Sequence, residues 1–244
     1  MNALRTLPAA LAGVCALALA GCATAATTTP AGDGSGGDRP PTATVAAAAP
    51  ASSAAAPTTA PAAVRPQAPA PPAADPRTEP ARLSIPEIGL EDLEVVPYEG
   101  TTDDWPGTRI QNRGLGASPY GPEGGVGPGE VGNYLVTAHR LSAGGPLRDL
   151  PALAEGDVVR VAFGGRVYEY EITGTRQTSF RSERSLAEQR AAVPGEPGAK
   201  PTKAMITIST CATPEDDAAG NFWRDDRGNP EHRIDKIGVL RATR

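Results

Sequence analysis

The sequence predicts a mainly β domain, a barrel or sandwich of short strands with short helices and long loops, from about residue 80 onward. Three observations carry this. Short apolar runs with period-two alternation recur along the stretch; Gly- and Pro-containing turns separate them; and no long run shows the 3.6-residue periodicity of an amphipathic helix. Chains patterned this way bury their apolar faces by closing a sheet on itself or stacking two sheets.

Taken in order, Ala81-Arg-Leu83-Ser-Ile85 alternates and is stopped by Pro86 and Gly89, which suits an edge strand followed by a turn. Leu93-Glu-Val95-Val96 is a second short strand. Residues 114–132, rich in Gly and Pro, read as a long irregular loop. Residues 133–138 form a compact, mostly apolar run that ends at His139. Residues 146–153 carry Leu147, Leu150 and Leu153 at spacings of three, as one or two helical turns would. Residues 158–163 and 167–172 are β-rich and are joined through Gly164-Gly165, a hairpin signal. Residues 204–210 and 233–240 supply two more strands, with a long polar loop at 212–231 between them.

Ahead of this domain the composition is different. Arg5, an apolar run over residues 7–19 and Ala20-Gly21-Cys22 have the layout of a secretory signal. The run is shorter than the roughly 20 residues that a membrane-spanning helix needs. Leu19-Ala20-Gly21-Cys22 also resembles the bacterial lipoprotein signal, which makes Cys22 the expected lipidation site; an ordinary signal peptide or an uncleaved anchor are the alternatives. Residues 23–79, built of Ala, Pro and Thr, have little to bury and read as a disordered tether of polyproline II character. The expected division is therefore 1–22 signal, 23–79 tether and 80–244 folded domain, held at the outer face of the cell membrane by a lipid or the N-terminal segment. A net charge of -5 with no basic stripe excludes a general nucleic-acid binder.

Of the three cysteines only Cys211 lies in the folded part, so it has no disulfide partner within its domain. It is then either an inert buried hydrophobe or a chemical group. Period two places Ile206 and Ile208 on one face of its strand, and Thr207, Ser209 and Cys211 on the other. If the isoleucines face the core, the thiol lies on the open face. His139, Cys211 and Arg233 all stand at predicted strand ends. A thiol nucleophile needs a base or cation beside it, and acyl transfer needs a donor aimed at the developing oxyanion. From spacing alone these residues are compatible with catalysis and go no further.

Longer motifs carry a resemblance. Thr207-Ile208-Ser209-Thr210-Cys211 resembles the Thr-Leu-x-Thr-Cys signature of sortases, with Ile208 in place of Leu. Val136-Thr-Ala138-His139-Arg140 resembles their histidine strand end, with Ala138 where Gly often stands, and Pro146-Leu147-Arg-Asp149-Leu150 resembles the next stretch of those chains. His232-Arg233-Ile-Asp-Lys-Ile-Gly238 resembles their arginine strand, and the order His, Cys, Arg agrees. The type most similar is class E of actinobacteria.

The resemblance implies a closed β-barrel that cleaves a Leu-Pro-x-Thr-Gly-like or Leu-Ala-x-Thr-Gly-like sorting motif between Thr and Gly. The acyl group would pass through a thioester to an amine of a peptidoglycan precursor or a pilin. By that likeness Cys211 attacks, His139 is acid and base, Arg233 binds substrate or oxyanion, and Thr210 helps place the substrate. Surface proteins bearing the motif are the implied partners of a monomer without cofactor. A sortase-fold lipoprotein that binds such peptides without cutting them is the alternative.

Other residues read as structural. His232 neighbours Arg233 and so faces the opposite way in a strand. Trp105, Phe222 and Trp223 read as packing residues, with lining of a substrate groove the alternative, and Asp157 reads as turn chemistry. Glu215, Asp216, Asp217, Asp225 and Asp226 lack the EF-hand pattern, so the acidic loop reads as solvated, with no metal expected.

Overall fold

A computed structural model describes residues 73–244. The predicted signal, the lipidation candidate Cys22 and the tether up to residue 72 lie outside the described residues. Among the described residues no helix is long and apolar enough to cross a membrane.

The strands are β1 (Ala81–Ile85), β2 (Leu90–Glu99), β3 (Gly116–Tyr120), β4 (Gly132–Thr137), β5 (Val158–Phe163), β6 (Arg166–Ser179), β7 (Ala204–Cys211) and β8 (His232–Thr243). They close into a barrel in the order β1-β2-β3-β4-β7-β8-β6-β5, as the sequence predicts for a mainly β chain. The helices are short: α1 (Trp105–Gln111), α2 (Glu183–Arg190) and α3 (Thr213–Ala218), with single 3-10 turns at Pro86–Ile88 and Leu150–Ala152.

Closure corrects the edge-strand reading of β1, which pairs with β2 on one side and β5 on the other. Pro86 still does what its chemistry demands. It opens the 3-10 turn after β1, where a missing N–H costs nothing, and Gly89 at φ +66 ends that turn by donating to the Pro86 carbonyl. The loop expected over residues 114–132 contains β3 instead. That strand runs parallel to β2 over five pairs but meets β4 at only one, Ala117 with Thr137, so Pro119 breaks no ladder on that side. Gly116 belongs there because a Cβ would come to 3.0 Å from Val95 Cγ2. The hairpin at Gly164-Gly165 is present, with β6 running on to Ser179.

The barrel interior holds Leu83, Ile85, Val136, Tyr170, Ile206 and Ile208, all fully buried. One end is plugged by Leu147, Leu150 and Leu153, the triplet that the sequence places on one helical stripe. Lys236, itself buried, caps this plug by donating Nζ to the carbonyls of Pro151 and Leu153 and to Thr175 Oγ1. Burial pulls its ammonium below the ordinary lysine range, opposed by Asp157. Leu150→Ala is expected to lower the unfolding free energy by about 2–5 kcal/mol in a urea melt, because the plug cannot collapse around the missing side chain. A loss under about 1 kcal/mol would show that the plug is not part of the cooperative core.

Candidate active site

The site forms where three strands end together. β4 and β7 run parallel with Thr137 opposite Ser209, so His139 and Cys211, each two residues further on, leave the sheet at the same level. β7 and β8 run antiparallel and pair Cys211 directly with Arg233. Residues separated by 72 and 22 positions are thereby brought together by backbone ladders rather than by loop packing.

The face of β7 that carries Cys211 is not open, contrary to the sequence reading. Ile206 and Ile208 do face the core, but Thr207 and Ser209 on the opposite face are 1% and 2% exposed. They are covered by α2, whose Gln189 donates to Ser209 Oγ at 3.1 Å and to Asp235 Oδ1 at 2.9 Å. Thr102 donates to Gln189, and Thr178 donates to the other Asp235 oxygen, which closes a buried polar network. Burial raises the Asp235 carboxyl above the ordinary range, against the hydrogen bonds it accepts. Only at the strand end does the surface reopen, leaving Cys211 partly exposed.

Arg233 is 3% exposed and held on three sides. One guanidinium nitrogen, Nη1, contacts Cys211 Sγ, and the other, Nη2, lies 2.5 Å from Asp103 Oδ1. The Phe180 ring stacks on its face with the centroid 4.2 Å from Cζ. Burial alone would favour deprotonation, but the charges of Asp103, Cys211 and Asp235 push the guanidinium well above its ordinary range. A fixed cation therefore stands beside the thiol.

His139 donates Nε2–H to Asn112 Oδ1 at 2.7 Å, since an amide oxygen only accepts, and this leaves Nδ1 as the basic nitrogen. Burial and then the Arg233 charge pull the imidazole below its ordinary 6.5, opposed by Asp103. Burial pushes the Cys211 thiol above its ordinary 9.0; the Arg233 charge and hydrogen bond oppose this, and Asp103 adds to it. Both shifts favour a neutral thiol and a neutral imidazole at rest. Thr210 is buried, and its hydroxyl donates to the Ala138 carbonyl at 2.8 Å. It thus ties β7 to the end of the histidine strand rather than facing solvent.

The long loops supply the walls. The acids of the 212–231 loop are engaged with nearby groups: Glu215 takes both guanidinium nitrogens of Arg140, Asp217 pairs with Arg224, and Asp226 with Arg227. Asp216 accepts from the backbone N–H of His232 and binds its Nδ1, which makes His232 a loop anchor. Among the described residues no group of His, Cys, Asp or Glu is arranged to hold a metal ion. The aromatic residues do not pack as predicted. Trp105 and Phe222 are 53% and 72% exposed, and Arg227 and Arg181 stack on Trp105 and Trp223. Together with Thr102, Asp103, Phe180 and Leu186, Trp223 and Arg227 line a cleft beside Arg233.

Sequence reasoning missed Asp103 and Asn112. Asp103 sits in Thr101-Thr102-Asp103-Asp104, which reads only as a helix start, and Asp104 is indeed the α1 cap, accepting from Gly107 N–H. Nothing local says that Asp103 turns inward. Its left-handed φ of +64 does that, and no sequence pattern reports it for a non-glycine residue.

The family model described as the Sortase domain matches residues 83–222, a span that takes in His139 and Cys211 and ends before Arg233. Among solved structures, the SrtA sortase from Actinomyces oris is 22% identical, with a TM-score of 0.53 over 73% of this chain and 89% of its own. Sortase E1 from Streptomyces coelicolor, with a tripeptide in its active site, is 21% identical, with a TM-score of 0.51 over 70% of this chain and 93% of its own. These likenesses are of fold. No curated protein is significantly similar in sequence.

The chain has two histidines, so a proton NMR titration resolves both. The resonance that disappears in His139→Gln is expected to titrate below 6.5, the ordinary value. A midpoint at or above that value would contradict the electrostatics described for this site.

Proposed function

The chain belongs to the sortase family, and on that premise we propose that it is an exported cysteine transpeptidase with Cys211 as nucleophile, His139 as acid and base, and Arg233 as the electrophilic group. The observation that carries this reading is the guanidinium of Arg233 on the Cys211 sulfur, at the strand ends where His139 also emerges.

The geometry supplies each step. The Cys211 thiolate attacks the carbonyl carbon of the Thr–Gly bond in a Leu-Pro-x-Thr-Gly-like or Leu-Ala-x-Thr-Gly-like peptide. As the sulfur acylates it loses its negative charge, so Nη1 of Arg233 is released to the carbonyl oxygen one bond away, where charge now develops. The protonated imidazole of His139 gives its proton to the departing glycine amine. In the second half the neutral imidazole takes a proton from the incoming amine, and the tetrahedral adduct collapses to a new amide and the Cys211 thiolate, which recovers its proton from the imidazolium. The cleft beside Arg233, lined in part by Phe180 and Trp223, is the place for the peptide. Thr210 acts by fixing the end of β4 against β7. Export, the lipid at Cys22 and an acceptor amine from peptidoglycan or a pilin belong to the same reading.

The test is cleavage of fluorogenic peptides containing either motif, with and without triglycine. Cys211→Ala is expected to abolish cleavage, and His139→Gln to lower kcat/KM about 10²–10⁴-fold. His232→Gln is expected to stay within about threefold of wild type, as a loop anchor outside the proton relay should. Cleavage that survives Cys211→Ala would overturn the assignment.

The pH profile is set by the two shifts. The thiolate accumulates only as pH rises through a raised thiol pKa, and the imidazolium persists only below a lowered histidine pKa. The limbs of the kcat/KM bell are therefore expected farther apart than the ordinary 6.5 and 9.0. A narrower bell would contradict them.

A further inference from the structure

Asp103 is a buried carboxylate that the proposed chemistry leaves unused. Its side chain is 6% exposed, Oδ1 binds Arg233 Nη2, and Oδ2 is buried with no hydrogen-bond partner among the described residues. Its backbone is held in the left-handed region, and its carbonyl accepts from Arg227. Thr101 N–H donates to Asp104, and Thr102 donates to Gln189 of α2, so the short loop is fastened on both sides of Asp103. A half-satisfied buried carboxylate in a strained conformation is costly, and it is kept here on one partner, the guanidinium.

That guanidinium has a second partner, the sulfur of Cys211. A desolvated cation is balanced by about one anion, and two candidates lie at its two ends. The other charges near the thiol are Asp225 from the β7–β8 loop and Arg140 after β4; Arg140 donates to the Cys211 carbonyl and is already neutralised by Glu215. Asp235 lies near Arg233 but is shared among Ser209, Thr178 and Gln189, and His139 at the end of β4 feels both Arg233 and Asp103. Asp103 is thus the direct competitor of the thiolate for this charge.

We propose that Asp103 is a positioning residue of this site: it aims the Arg233 guanidinium at Cys211 and serves as its resting counter-ion, so that carboxylate and sulfur compete for one buried positive charge. In the resting chain the carboxylate holds the charge and the sulfur keeps its proton. When the sulfur gives up its proton, to solvent or to His139, it shares the guanidinium with this carboxylate, and the carboxylate's own hold on the charge limits how far the thiolate is stabilised. The proposal rests on the Cys211–Arg233 geometry of the proposed enzyme, but its test does not need turnover.

The test is the pH dependence of iodoacetamide alkylation at Cys211 in the full chain, read by peptide mass spectrometry so that Cys15 and Cys22 do not interfere. Asp103→Asn keeps the shape and one acceptor without the charge. Asp103→Gly removes the side chain and suits the left-handed backbone, so at least one folded variant is expected, with folding checked by circular dichroism. Both are expected to move the thiol midpoint down by about one pH unit, giving roughly tenfold faster alkylation at neutral pH. Asp103→Glu, which retains the charge, is expected to move it by less than half as much. A folded Asn or Gly variant that alkylates with the wild-type midpoint overturns the proposal. If the midpoint falls as expected while no variant or wild type cleaves a sorting peptide, the counter-ion role stands and the transpeptidase reading is what fails.

Discussion

Most of what is distinctive in this structure depends on a single desolvated guanidinium. Arg233 lies out of water with a sulfur at one end, a carboxylate at the other and an aromatic ring on its face. A cation placed there without partners would be strongly destabilising, so the surrounding elements are committed to satisfying it. The 101–104 loop turns Asp103 inward, the end of β6 brings Phe180, and β7 brings Cys211. Burial moves the thiol up and the imidazole down, while the Arg233 charge opposes the first shift and adds to the second.

The barrel makes this arrangement possible by its register. Antiparallel pairing of β7 with β8 sets Cys211 opposite Arg233, and parallel pairing of β4 with β7 sets His139 level with the thiol. Both registers are pinned because a slip of one residue would move Ile206 and Ile208 out of the core, against the polar groups under α2, and put Thr207 and Ser209 into the core. Behind the site, Gln189 links α2 to Ser209 and Asp235, and Thr102 links the Asp103 loop to Gln189. The loop that holds the counter-ion and the helix that covers β7 are therefore joined by hydrogen bonds buried from water, which is where such links matter most.

The strands are legible in the sequence wherever their chemistry is local. Short apolar or alternating runs mark β1, β2, β4, β7 and β8, a Gly-Gly turn marks the β5–β6 hairpin, and the Leu147–Leu150–Leu153 spacing marks the barrel plug. β3 is not legible, because Gly116, Ser118 and Pro119 are poor strand formers and the segment is held by its pairing with β2. The thiol face reads as open because alternation reports which side a residue takes, not what covers that side, and α2 covers it. Cys211, His139 and Arg233 stand out because each follows or opens an apolar strand. Asp103 and Asn112 do not, since an inward turn at one left-handed residue and a contact from the end of α1 are tertiary facts.

The most direct measurement of the central claim is chemical rather than kinetic. The full chain is mixed with a peptide containing Leu-Pro-x-Thr-Gly, or its Leu-Ala counterpart, without added amine, quenched in acid and digested for mass spectrometry. A hydroxylamine-labile acyl group ending in Thr on the peptide that carries Cys211, absent from Arg233→Gln at matched times, is the expected result. A folded chain that binds the peptide and never acylates Cys211 would contradict the account and leave Arg233 as part of a binding site alone.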